Sequence, residues 1–334
     1  MTLFRFIQLS DIHLCIEPRR RNALALFRRH PSASLDVARQ WWNGNLALKL
    51  TRPESYDPDL VAGVARFAWR HGDVTDCIIV SGDLATTGSQ LDLATAKAFV
   101  DAAPNDRFFT LGGGVTLKAA HPDIHVMAGN HDHYRDDYGS PGGSAHFRLN
   151  FGNRMPNHDG KISHTVLTKN EETIGLIFAD FTLDKSDDCS AVNAGAMFLR
   201  YGQGRVYPDV LKALIAKHHV LKQKYRNIHI VWVVHFAPFD CSVKLQLNDF
   251  SELVDAANSV GVQQLLCGHT HSMKKQIEGK LSIYCAGPAG AIGSEESSYI
   301  HINEIELTGG VGRFKRRNFL WSAARHDFDE QASD

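Results

Sequence analysis

Little in this chain points to a charged, secreted or membrane-embedded protein. Its 36 Lys and Arg balance 37 Asp and Glu, a formal net charge of −1, so no overall field draws it to nucleic acid or an anionic bilayer. Six cysteines stand singly at 15, 77, 189, 241, 267 and 285. They show neither a C-x-x-C pair nor the spacing of a disulfide framework, and read as reduced thiols. No apolar run reaches the ~20 residues that span a bilayer. Arg5, Asp11 and His13 interrupt the N-terminus where a secretory signal needs an unbroken apolar core. A cytoplasmic protein without a transmembrane segment is expected. What the 334 residues do hold is 43% apolar composition, enough for one large core, and 18 histidines.

Those histidines follow a pattern. Leu3 to Leu9 is a short apolar run ending in Ser-Asp-Ile-His. The same plan recurs four times: Asp76 to Val80 before Ser-Gly-Asp-Leu, Ile124 to Ala128 before Gly-Asn-His-Asp, Ile228 to Val234 before His-Phe-Ala-Pro, and Val262 to Cys267 before Gly-His-Thr-His. Buried strands that each end in a polar loop place functional side chains at one sheet edge. Helical patterns over Gln90 to Ala103, Asp209 to Tyr225 and Asn248 to Val260 make the alternation that of an α/β domain. The last part has short strands without helices, at Lys274 to Glu278, Leu281 to Ala286, Tyr299 to Leu307 and Gly312 to Leu320, and reads as a meander closing a second sheet.

Three segments do not fit the repeat: Leu14 to Thr75, Tyr134 to His164 and Leu183 to Arg205. The first carries Arg19, Arg20, Arg21, Arg28 and Arg29, then Trp41 and Trp42; Glu17 to Arg52 holds eight Lys or Arg against two Asp or Glu, a local +6. A basic run is most often a solvated face, but its place between the first two polar loops suggests a cap over the site. Residues 1–334 are expected as one domain, with this cap inserted at about 14–75.

Collected from the strand ends, Asp11, His13, Asp83, Asn130, His235, His269 and His271 are natural ligands of divalent metals, and His131 stands beside one of them as a proton carrier would. With no thiolate among them, the set suits ions left open to water rather than a closed structural zinc. With Asp83 as bridge, one ion takes Asp11, His13, Asp83 and His271, and the other Asp83, Asn130, His235 and His269. The i, i+2 spacing of Asp11 with His13 and of His269 with His271 predicts side chains on one side of an extended segment. Gly129 is expected to let the chain turn sharply into Asn130.

In chain order the blocks are Asp11-Ile12-His13, Gly82-Asp83, Gly129-Asn130-His131-Asp132, His235 and Gly268-His269-Thr270-His271. This series resembles the calcineurin-like metallophosphoesterases, whose pattern is D-x-H, G-D, G-N-H-D/E, H and G-H-x-H. The resemblance implies an α/β fold, an αββα sandwich of two mixed β-sheets flanked by helices. It also implies two divalent ions, with Mn, Fe, Zn and Co all compatible with the ligands, and hydrolysis of a small-molecule phosphoester by a metal-bridging hydroxide. It places His131 beside the leaving-group oxygen as proton donor; Asp132 is then expected to accept the second N–H of that imidazole.

Departures from relatives narrow the ester. Protein serine/threonine phosphatases of this superfamily carry an Arg before Gly-Asn-His-Glu, where this chain has Ala128, and purple acid phosphatases carry a Tyr where Thr86 stands. Without the Arg clamp for a monoester dianion, a phosphodiesterase of the cyclic-nucleotide or glycerophosphodiester type is expected. A phosphomonoesterase or a nuclease of the same fold is the alternative, and an interaction scaffold the non-enzymatic one. Nucleic acid is not the favoured partner, because no DNA-binding accessory domain is found; homo-oligomers are left open.

Overall fold

The computed structural model describes residues 1–15, 56–102, 116–133, 143–183, 202–290 and 297–332. In chain order its strands are β1 (Thr2–Leu9), β2 (Cys77–Ser81), β3 (Ile124–Met127), β4 (Ile162–Lys169), β5 (Glu172–Ala179), β6 (Gly204–Arg205) and β7 (Ile228–Val234). There follow β8 (Leu247–Asn248), β9 (Gln264–Cys267), β10 (Lys274–Glu278), β11 (Leu281–Cys285), β12 (Tyr299–Thr308), β13 (Val311–Ser322) and β14 (Asp327–Glu330). The helices are α1 (Pro58–His71), α2 (Gln90–Asp101), α3 (Leu117–Ala120), α4 (Asn130–His133), α5 (Gly143–Phe151), α6 (Pro208–Lys224) and α7 (Phe250–Val260).

Two six-stranded sheets result, ordered β14-β13-β12-β1-β2-β3 and β10-β11-β9-β7-β5-β4. Both are mixed: β1, β2 and β3 run parallel and β12 opposes β1, while β11, β9, β7 and β5 run parallel between antiparallel edge strands. The period of two sorts their side chains. Phe4, Phe6, Cys77 and Ile79 meet Ile174, Leu176, Phe178, Val231, Val233 and Leu266 between the sheets. Ile7, Leu9, Ile78 and Val80 instead face outward, against Leu60, Val64 and Phe67 of α1 and Leu93, Ala96 and Phe99 of α2. On the far side Trp232, Leu265 and Ile283 pack against Leu214 and Leu221 of α6 and Leu253 and Ala257 of α7. The architecture is thus the αββα sandwich, helices outside and two sheets within.

Helix α1 lies in the segment read as an insertion, yet its local signals are strong. Asp57 accepts the amides of Asp59 and Leu60, Pro58 takes the first turn, and an apolar stripe from Leu60 to Ala68 is buried. The 16–55 part of that segment, with the Arg run and Trp41–Trp42, lies outside the described residues. The hairpin β4–β5 and helix α5 likewise arise in or beside the segment Tyr134 to His164. The expected C-terminal meander is corrected: its strands divide between the sheets. β10 and β11 extend the second sheet beside β9, whereas β12 to β14 return to the first beside β1. Apolar periodicity marks a strand but carries no record of its partner.

The consequence for function is directional. Because β1, β2, β3, β7 and β9 are parallel within their sheets, the chain leaves each of them at a carboxyl end, where open α/β sheets bind ligands. The segment after β1 runs on beside the one after β2: the amides of Asp11, Ile12, His13 and Leu14 donate to the carbonyls of Gly82, Asp83, Asp83 and Leu84.

Candidate metal centre

Three groups of donors converge at these ends: Asp11 with His13 and His271, Asp83 with His235 and His269, and His13 with Asp83 and His131. His13 Nε2 and His271 Nε2 stand 3.1 Å apart, and His271 Nε2 is 3.3 Å from Asp11 Oδ1. Around His235 Nε2 lie Asn130 Oδ1 at 3.1 Å, His269 Nδ1 at 3.2 Å and Asp83 Oδ2 at 3.3 Å. Asp83 Oδ2 is also 3.9 Å from His13 Nε2, so this carboxylate lies between the two groups. The structure therefore brings together all eight residues singled out in the sequence.

The backbone achieves this in a way the spacing did not foretell. Asp11, His13, Asp83, His269 and His271 all have positive φ, between 52° and 72°, so neither i, i+2 pair sits on an extended segment. Left-handed backbone costs a non-glycine residue about 1–3 kcal/mol. Five such residues in one site are tolerated because the flanking ladder of backbone hydrogen bonds dictates their conformation. Gly129 is corrected in a similar sense. It is not among the residues with positive φ; what it permits is close approach, since a Cβ there would overlap Asp83 Oδ1 and the Asp83 amide. Gly82 is the residue that needs glycine's freedom, with φ +104° and the His235 ring against it.

These donors fit divalent metal. Ligands bound to one ion at ~2.1 Å stand about 3.0–3.4 Å apart, the spacing around His235 Nε2. Asp11 Oδ1 is buried with no donor aligned on it among the described residues. The far nitrogens of two rings are tied back as in metal sites: His235 Nδ1 donates to the Ser81 carbonyl at 2.9 Å and His269 Nε2 to that of Gly202 at 2.6 Å. This leaves His235 Nε2 and His269 Nδ1 as the ring atoms that would face an ion.

Electrostatics agree. Burial alone favours neutral His235, but the Asp83 carboxylate outweighs it and pushes the pKa up to about 10. A proton on this ring occupies the place where a cation's charge belongs. Burial and the neighbouring His235 push His269 down to about 3. Burial opposes ionisation of Asp11 and Asp83, yet the surrounding imidazoles hold both carboxyls below the usual range.

His131 is half-buried. Its ring meets that of His13 edge-on at 4.6 Å, its Nδ1 lies 2.9 Å from the Thr86 carbonyl, and its amide donates to Asp83 Oδ1 at 2.8 Å. The expectation that Asp132 orients this imidazole is corrected. Fully buried, the Asp132 carboxylate accepts the amides of Ala85 at 2.8 Å, Gly129 at 2.9 Å and Leu84 at 3.2 Å. Burial and the Asp83 charge push its pKa up to about 7 against those three donors. Asp132 therefore ties the loop after β2 to α4, and a backbone carbonyl orients His131. No sequence signal announces a carbonyl. His133, which stands next to the motif but outside it, is buried at the end of α4 rather than in a solvated loop, and its partner Asp180 beyond β5 is a polar residue that the motif reading did not reach.

Comparison with known proteins accords with this geometry. The model of the calcineurin-like phosphoesterase family matches residues 4–273. The chain belongs to that family of metal-dependent phosphoester hydrolases. A crystal structure of a dimetal phosphatase from Danio rerio is similar, with a TM-score of 0.54 and 12% identity over 95% of this chain and 94% of that one. GAP50, the anchor in the inner membrane complex of Plasmodium, gives a TM-score of 0.52 and 10% identity over 99% of this chain and 90% of that one. At such identities the likeness is one of fold. A search of curated proteins gives no match. Among the described residues, no helix is long and apolar enough to cross a membrane.

Proposed function

We propose that this chain is a phosphodiesterase that uses two divalent ions. The observation that carries the reading is the position of Asp83 between two sets of donors, Asp11, His13 and His271 on one side and Asn130, His235 and His269 on the other. Ions bound there, of Mn, Fe, Zn or Co, supply Lewis acidity toward phosphoryl oxygens and a water of lowered pKa. The residues of the chain do the rest. Asp83 holds the two halves in register, and the Ser81 and Gly202 carbonyls fix which imidazole nitrogens face inward. His131, with Nδ1 held by the Thr86 carbonyl, presents Nε2 to protonate the departing alkoxide.

Buried, apolar Ala128 stands where a phosphomonoesterase of the protein-phosphatase type places a guanidinium, which favours a diester over a monoester dianion. The fold alone does not separate enzyme from scaffold, since it is shared with an anchor protein. The complete donor set favours the enzyme. The test is hydrolysis of bis(p-nitrophenyl) phosphate and p-nitrophenyl phosphate by chelated protein with and without added Mn²⁺. Metal-restored turnover that prefers the diester supports the proposal. Preference for the monoester makes the chain a phosphomonoesterase, and no turnover of either ester with Mn²⁺, or with Fe, Zn or Co in its place, leaves the scaffold.

A further inference from the structure

The one-turn helix α4 carries four polar side chains in succession, and three have tasks: Asn130 faces His235, His131 faces His13, and Asp132 binds the loop after β2. His133 remains. It follows Asn130 by three residues, hence on the same side of a helical turn, and is 5% exposed. Its Nε2 lies 2.9 Å from Asp180 Oδ2. Asp180 directly follows β5, and because Ala179 pairs with Val234 it stands level with His235 on the neighbouring strand.

The contact continues beyond Asp180. Its other oxygen accepts the Thr182 amide at 2.9 Å, Thr182 bridges to Gly204, and the nearby Gly202 carbonyl accepts from His269 Nε2 at 2.6 Å. A path of hydrogen bonds and backbone pairing, joined by the short run of chain from Gly204 back to Gly202, thus leads from α4, which follows a strand of the first sheet, to His269, which follows a strand of the second. It starts beside Asn130 and ends on His269, two donors that both lie within 3.2 Å of His235 Nε2.

We infer that the His133–Asp180 hydrogen bond is a positioning device that sets Asn130 and His269 at the spacing one of the two ions requires. The inference rests on the metal centre proposed above and assigns that device to the cluster of His235, not to that of Asp11, His13 and His271. Neither residue touches substrate; both act through the ligands.

The test is calorimetric titration of chelated protein with Mn²⁺, which reads two binding steps in the wild type. In His133→Ala and in Asp180→Asn, one step weakens about tenfold to a hundredfold while the other keeps its wild-type value. The double variant is no worse than either single one. His133→Gln, which keeps an N–H within reach of Asp180, recovers part of the loss. With both sites loaded at high Mn²⁺, kcat is lower and KM unchanged. Two unchanged steps in Asp180→Asn overturn the inference, as does equal weakening of both with a lowered melting temperature, which is what a general structural role predicts. Wild-type protein that binds no Mn²⁺ and hydrolyses no phosphoester overturns the metal centre itself, and this inference with it.

Discussion

The two halves of the donor set differ in depth. Around His235 every side chain is buried, with Asp83, His235 and His269 between 1% and 3% exposed. Both imidazoles there are tied back to carbonyls. Around His13 the Asp11 carboxylate is as deep, but the His271 side chain is 20% exposed and the half-buried His131 ring stands beside His13. One half is walled into the sandwich and the other opens outward. On the proposed reading, the inner half holds its ion by rigidity, and the outer half meets the substrate.

Four tests follow from that contrast and from the burial around it. The largest effect is expected from Asp83→Ala, which removes the carboxylate between the halves. Turnover of a diester falls by about a thousandfold or more, and neither half retains its wild-type Mn²⁺ affinity by calorimetry. Next, His131→Ala lowers kcat by roughly 10²- to 10³-fold for esters with alkoxide leaving groups and much less for p-nitrophenolate. Equal losses on both ester types remove His131 from the role of general acid. Third, His235→Ala weakens Mn²⁺ binding about a hundredfold and His271→Ala about tenfold, because a cavity in the walled half is less readily filled by water. The reverse order would contradict the division by depth.

The smallest effect lies outside the site, on stability. Burial holds His125 and His218 near a pKa of about 4, down from 6.5. Between about pH 6.5 and 4 the unfolded chain therefore binds protons that the folded chain does not. Their contribution is complete above pH 6.5 and is lost as pH falls toward 4, by on the order of 1 kcal/mol after solvent screening. Thermal melts of His125→Gln across that range, with a shallower pH dependence than wild type, check the sign.

Much of the site was legible because its residues are neither apolar nor randomly placed. Asp11, Asp83, Asn130, His235 and His269 each follow a run of apolar residues, and a buried strand that ends in a ligand-type side chain leaves a mark that composition cannot hide. The parallel strands that carry these residues, β1, β2, β3, β7 and β9, were equally plain, since a strand buried on both faces is largely apolar. Helix α1 was also written locally, with Asp57, Pro58 and an apolar stripe, but it stands apart from the metal-ligand motifs along the chain and was absorbed into an insertion. The hairpin β4–β5 was hidden for a different reason: β4 alternates weakly, ending in exposed Thr168 and Lys169, and lacks a polar motif at its end.

Which residue types gather at the site, and in what order along the chain, was determined by the sequence alone, because metal ligation and proton transfer need particular side chains and strand ends deliver them. Other features depended on neighbours distant in the chain. The left-handed backbones of Asp11, His13, His269 and His271 are imposed by pairing and packing around them. Asp132 serves three amides instead of His131, the terminal strands divide between two sheets, and His133 finds Asp180 across the gap between those sheets. A sequence specifies which groups can bond. Only the packed sheets, by excluding water and fixing distances, select the partner each group takes.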